Sequence, residues 1–148
     1  MNEGRNINAI DEEFVMCPEA FGGPLTIEEV NQAEDELKVK LPEDYKEFLL
    51  KYGSGAVSEA IVLGLKEAEF VATPSFVEKS LHFRKVLPKG YENFTAIGID
   101  GAGNPIGFIS PETEIITFDF NFGRKEIIAK SFEEYLEKAI REELYVQF

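Results

Sequence analysis

Apolar positions recur along this chain with two different periods, and the change of period divides it. In the first part the spacing is helical. Ile27, Val30, Ala33 and Leu37 mark one face, and Tyr45, Phe48, Leu49 and Tyr52 mark a second at i, i+3, i+4 and i+7. Thr26-Ile27-Glu28-Glu29 opens the first run as a capping box, in which the hydroxyl covers an exposed backbone N–H and Glu29 reaches back. Leu41-Pro42 separates the two runs, since proline is tolerated in a helix's first turn, and Gly53 stops the second. The pattern predicts two short helices joined by a tight corner. Ahead of them, Ile7, Ile10 and Phe14 predict a short helix within residues 1–20, broken by Pro18 and Gly22-Gly23-Pro24.

Ala60 to Leu63 is an apolar run with strand character, and Thr73-Pro74 opens a weaker helix carrying Phe76, Val77 and Leu81 before Pro88. From Phe94 the period shortens. Phe94–Ile99, Ile106–Ser110 and Ile115–Phe120 are β-rich runs, separated by Asp100-Gly101-Ala102-Gly103-Asn104-Pro105 and by Pro111-Glu112-Thr113. In the third run Ile116, Phe118, Phe120 and Phe122 share one face, while Thr117, Asp119 and Asn121 share the other. Gly123-Arg124-Lys125 turns the chain into a further short strand at Glu126–Lys130. Ser131-Phe132-Glu133-Glu134 is a second capping box, opening a helix with Phe132, Tyr135, Leu136, Ala139, Ile140 and Leu144 on one face. Helices, then an antiparallel meander, then a closing helix make an α+β fold in a single domain over residues 1–148, with helices covering the sheet. The patterning assigns these Phe and Leu positions to the core.

Composition narrows the function. The chain has 148 residues, enough for one domain with a sizeable core, and 13 Phe with 5 Tyr to fill it. Its 28 acidic against 15 basic residues give a net charge of −13. That opposes direct nucleic-acid binding and docking on an anionic membrane, and favours a basic partner. One Cys (Cys17) excludes an internal disulfide, and one His (His82) leaves too few ligands for zinc, so neither cofactor nor metal is expected. Met1 to Ile10 lacks the pattern of a signal peptide, and no apolar run has membrane-spanning length, so the expected location is the cytoplasm.

Candidate chemistry is sparse. Gly101, Gly103 and Gly107 lack the spacing of a dinucleotide fingerprint and have strands on both sides, so a hairpin turn explains them. Asp100 and Asn104 lack the calcium-loop spacing. Asp100 and Asp119 could form a working carboxylate pair for a small hydrolase, but solvated polar-face positions explain them better. Around His82, the basic stretch of Lys79, Arg84, Lys85 and Lys89 reads as a solvated helix face, and the acids from Glu28 to Glu36 as another.

The ordered set of motifs resembles the SUKH superfamily, which includes fungal Smi/Knr cell-wall-assembly regulators and bacterial immunity proteins. The resemblance lies in Leu41-Pro42-Glu43-Asp44-Tyr45-Lys46-Glu47-Phe48-Leu49 running into Tyr52-Gly53, and in the glycine turn Ile97–Ile106. It continues in Ile116-Thr117-Phe118-Asp119-Phe120 and in Ser131-Phe132-Glu133-Glu134-Tyr135-Leu136. The chain departs from that pattern in having no Trp in the aromatic strand and Ala102 in the turn. The resemblance implies a Smi/Knr-like domain without enzymatic activity: an immunity protein (antitoxin) that neutralises a cognate toxin domain, often a nuclease, by direct binding. A regulatory or scaffold interaction module is the alternative. The contact residues expected are exposed polar groups: Glu43, Asp44 and Glu47 at the helix corner, Asp100 and Asn104 in the hairpin, and Asp119 on the strand.

Overall fold

The computed structural model describes residues 3–58 and 60–144, with side chains from Ile10 onward. Ile7's place in the apolar spacing, and residues 1–2, 59 and 145–148 of the expected domain, lie outside that description. Helix α1 (Glu3–Met16) is followed by a 3-10 turn at Pro18–Ala20. The predicted pair forms as α2 (Ile27–Leu37) and α3 (Glu43–Lys51). The capping box at Thr26 makes both of its bonds, Glu29 N–H to Thr26 Oγ1 at 3.1 Å and Thr26 N–H to Glu29 Oε1 at 2.9 Å. Helix α2 stops earlier than Leu41, because Lys38 takes a left-handed conformation and turns the chain back. Gly53, with φ of +81°, ends the second helix as its sequence position predicts.

Two short strands, β1 (Gly55–Val57) and β2 (Ala60–Val62), then pair antiparallel. Strand β1 falls where the sequence pattern predicts no strand, directly after the helix stop at Gly53. Helix α4 (Phe76–Val86) is capped by Ser75, not opened by Thr73. Four strands follow as an antiparallel meander in the order β3 (Phe94–Ile99), β4 (Pro105–Ile109), β5 (Ile115–Asp119) and β6 (Arg124–Ala129). Helix α5 (Phe132–Ile140) closes the chain, with Ser131 Oγ accepting from Glu134 N–H at 3.1 Å. The fold is α+β.

The sheet is packed on both faces. On one side Ile97, Ile106, Phe108 and Ile115 join Tyr45, Phe48, Leu49, Phe132 and Tyr135 in the main core. On the other, Phe83 of α4 and Leu87 just after it lie over Phe94, Ala96, Ile116 and Phe118. Ordinary strand alternation sends Ala96 to one core and Ile97 to the other, and a register shift follows between Ala96 and Gly98. Ser80 Oγ accepts from Ala96 N–H at 2.7 Å and anchors α4 beside that irregularity. Gly107 is fixed by contact, since a Cβ there would overlap the Thr95 carbonyl of the neighbouring strand.

Expectations about burial fail at several positions, including Ile27, which shares the apolar spacing of α2 but is 45 % exposed. Phe120 and Phe122 are 44 % and 73 % exposed, because β5 ends at Asp119 and its alternation does not extend into the turn. Leu81 faces solvent, as α4 presents Phe83 to the sheet instead. Glu34, expected on the wet face of α2, is buried: Oε2 accepts from Leu41 N–H at 2.8 Å and lies 3.7 Å from Lys46 Nζ. The turn at Lys38 folds the connection to α3 back over that side of the helix.

Candidate partner-binding site

The six expected contact residues fall into two groups, and the fold treats their members differently. The first begins at α3. Glu43 is highly exposed, with only Lys46 nearby at 3.8 Å, and Glu47 is exposed one turn later. Asp44 is turned inward. Its Oδ1 accepts from Tyr45 N–H at 2.9 Å, and its Oδ2 accepts from Glu133 N–H at 3.0 Å in the first turn of α5. A carboxylate satisfies orphan amides at a helix N-terminus and complements its positive end. Asp44 thereby draws two helix starts with acidic first turns together; Glu133 and Glu134 on α5 are half-buried, and Glu134 Oε1 accepts from Lys130 N–H at 2.6 Å. Sequence reading counts Glu133 and Glu134 among the acids of the closing helix but does not place that helix against α3, because the contact spans 89 positions.

Beneath this surface lie two buried tyrosines. Tyr45 is fully buried and donates its hydroxyl to the Leu63 carbonyl at 2.6 Å. Burial pushes its pKa well above the ordinary phenol range, so it stays neutral and serves as a strut. Tyr52 donates to Asp11 from α1, and burial first, then that carboxylate, raises its pKa as well.

The second group occupies the glycine turn and the β5–β6 turn. Asp100 Oδ1 accepts from Ala102 N–H and Asn104 N–H, each at 2.9 Å. Asp119 Oδ1 accepts from Asn121 N–H at 2.8 Å and Phe122 N–H at 3.3 Å. Asn104 lies between them: its Nδ2 donates to Asp100 Oδ2 at 3.3 Å, and its Oδ1 accepts from Phe120 N–H at 3.1 Å. The turn of one hairpin is thus stitched to the end of the next. Asn104, expected exposed, is 8 % exposed, because this stitching needs its amide between the two turns.

This arrangement holds turns in place. Both carboxylates are occupied by their own backbone amides, the signature of Asx turns. No hydrogen bond or ion pair among the described residues joins this corner to the α3 group. Among the described residues no cluster of His, Cys, Asp and Glu has the makings of a metal site, and no helix is long and apolar enough to cross a membrane.

No curated protein matches the chain by direct sequence comparison. The sequence model of the SMI1 / KNR4 family (SUKH-1) does match it, over residues 24–138, from the loop before α2 to the last helix. That span includes the helix corner, the glycine turn and the aromatic strand, in the order in which the fold assembles them. The chain belongs to the SMI1 / KNR4 family (SUKH-1).

Proposed function

We propose that this chain is a single-domain, non-catalytic immunity protein of the cytoplasm that neutralises a basic toxin domain, of nuclease type, by stoichiometric binding. The observation that carries this reading is the acidic surface where α3 and α5 begin, on a domain of this family. A nuclease attracts phosphate with Lys and Arg, so its working face is basic. An inhibitor with fixed carboxylates at that face competes with substrate and is steered to it electrostatically. Glu43 and Glu47, with Glu133 and Glu134 beside them, are the contact residues on this reading. Asp44, Asp100, Asn104 and Asp119 act through them or through the turns, by holding the surface in shape.

The test is co-expression with the toxin candidate encoded beside the gene, scoring growth rescue and co-purification. Rescue with a one-to-one complex is the expected result. Association should slow steeply as salt rises, and the Glu43→Lys/Glu47→Lys double variant should bind roughly tenfold more weakly or worse. Failure of the unmutated chain to bind or rescue would sink the immunity reading and favour a regulatory scaffold.

A further inference from the structure

The last turn of α1 carries apolar side chains that the core does not use. Ile10 and Phe14 point inward, Phe14 against the rings of Phe21 and Tyr52 at 5.3 and 5.4 Å. Helical spacing then sets Glu12, Val15 and Met16 on the opposite side, where Val15 is 78 % and Met16 84 % exposed. Phe70, on the loop between Lys66 and Thr73, is 67 % exposed. That loop is fastened to the 3-10 turn that follows α1, since the Glu19 carbonyl accepts from both Glu69 N–H and Phe70 N–H at 3.0 Å. From within, Thr73 Oγ1 accepts from Ala68 N–H at 2.8 Å, and Ser54 Oγ donates to the Lys66 carbonyl at 2.8 Å. A hydrogen-bonded backbone thus holds Phe70 out in solvent.

The carboxylates beside these side chains are free. Residues 10–23 carry four acids and no base, and residues 67–78 carry three acids and no base. Asp11 is taken by the Tyr52 hydroxyl and by Lys51. Glu12, Glu19, Glu67 and Glu69 are exposed, and their side chains enter no hydrogen bond or ion pair among the described residues. The flanking cations are engaged elsewhere, Lys51 on Asp11 at 3.8 Å and Lys66 on Glu29 at 4.0 Å. No strand edge is open here, because β1 pairs with β2 on one side and is bridged by Phe21 on the other. A partner is therefore read through side chains.

Apolar side chains at the centre of a contact supply affinity, and charges at its rim choose the partner. We propose that the end of α1, the Pro18–Ala20 turn and the 66–72 loop form a docking face for a basic amphipathic helix of a partner protein. The helix's apolar stripe covers Val15, Met16 and Phe70, and its Lys and Arg side chains meet Glu12, Glu19, Glu67 and Glu69. A helix presents both sets without backbone pairing. A second copy of the chain is opposed by its own charge of −13. Through Asp11 and Lys51 the face adjoins the last turn of α3, about 12 Å along that helix from Glu43. It goes beyond the α3–α5 carboxylates and stands whether or not the immunity reading does.

The probe is a fluorescein-labelled fourteen-residue helical peptide with Leu on one face and Lys on the other. Its controls are the same peptide with every Leu replaced by Ser, and with every Lys replaced by Glu. Binding at about 0.15 M salt, where distant charges are screened, is followed by anisotropy and located by amide shifts in NMR spectra of the full chain. The Lys/Leu peptide should bind, with shifts centred on residues 11–20 and 66–72. Both controls should bind at least roughly tenfold more weakly, as should the Lys/Leu peptide to Met16→Ser/Phe70→Ser. Glu12→Lys/Glu69→Lys should weaken it as much, while Glu43→Lys/Glu47→Lys leaves it within about twofold. All these side chains are exposed, so the variants should fold, and native spectra elsewhere check this. Shifts centred on residues 43–47, equal binding of the Leu and Ser peptides, or full binding by Met16→Ser/Phe70→Ser overturns the proposal. So does self-association in sedimentation without peptide that Met16→Ser/Phe70→Ser abolishes.

Discussion

The Asp44 carboxylate accepts a 3.0 Å hydrogen bond from the Glu133 backbone N–H, joining the first turns of two helices 89 positions apart. Neither helix start is self-sufficient there. Helix α3 begins after Pro42, which has no side-chain cap to offer, and α5 has its Ser131 hydroxyl committed to Glu134 N–H.

Asp44→Ala should therefore cost about 0.5–2 kcal/mol, the range for losing a helix cap, read from urea unfolding. Glu43→Ala, one residue away but exposed, should change stability by less than about 0.5 kcal/mol. Equal effects from the two would show that Asp44 is not holding α5 in place.

Asn104 carries a different load. Asn104→Ala removes the acceptor for Phe120 N–H and the link to Asp100 in a buried corner. A loss of about 1–3 kcal/mol is expected, with faster hydrogen exchange at the Phe120 amide than at the Ala96 amide. Unchanged exchange at Phe120 would show that the two turns are independent.

Alkaline pH should weaken the fold through its buried phenols. Tyr45 and Tyr52 have folded pKa values above the ordinary phenol value, which is about 10 in the unfolded chain. Their contribution is complete below that unfolded value and is lost as pH rises toward the folded ones, because the unfolded chain releases protons first. The urea midpoint should fall as pH climbs above about 10, and Tyr52→Phe should flatten that fall. A slope in both Tyr52→Phe and Tyr45→Phe identical to that of the unmutated chain would rule the phenols out as its source.

Much of the local structure was legible because its causes are local. The capping box at Thr26, the Ser131 cap on Glu134 N–H (whose carboxylate bonds Lys130 N–H, so that the predicted second box is half made), the buried stripe of Tyr45, Phe48, Leu49 and Tyr52, and the strand Phe94–Ile99 follow from interactions within a few residues. The glycine turn was legible for the same reason, since Asp100 bonds amides two and four positions on. Burial at the margins of elements was not. Phe120 and Phe122 continue an apolar alternation, but only a strand that extends under α4 could bury them, and β5 stops at Asp119.

The sequence by itself determined the helices and strands other than β1, their order, the family, and a charge of −13. Periodicity, capping and composition need no knowledge of what lies across the fold. Only the tertiary structure decided which carboxylates stay free. It turned Asp44 inward to Glu133, buried Glu34 under the returning chain, and left Glu43 and Glu47 in solvent. A side chain's charge is written in the sequence, but its partner is set by packing between residues far apart along the chain.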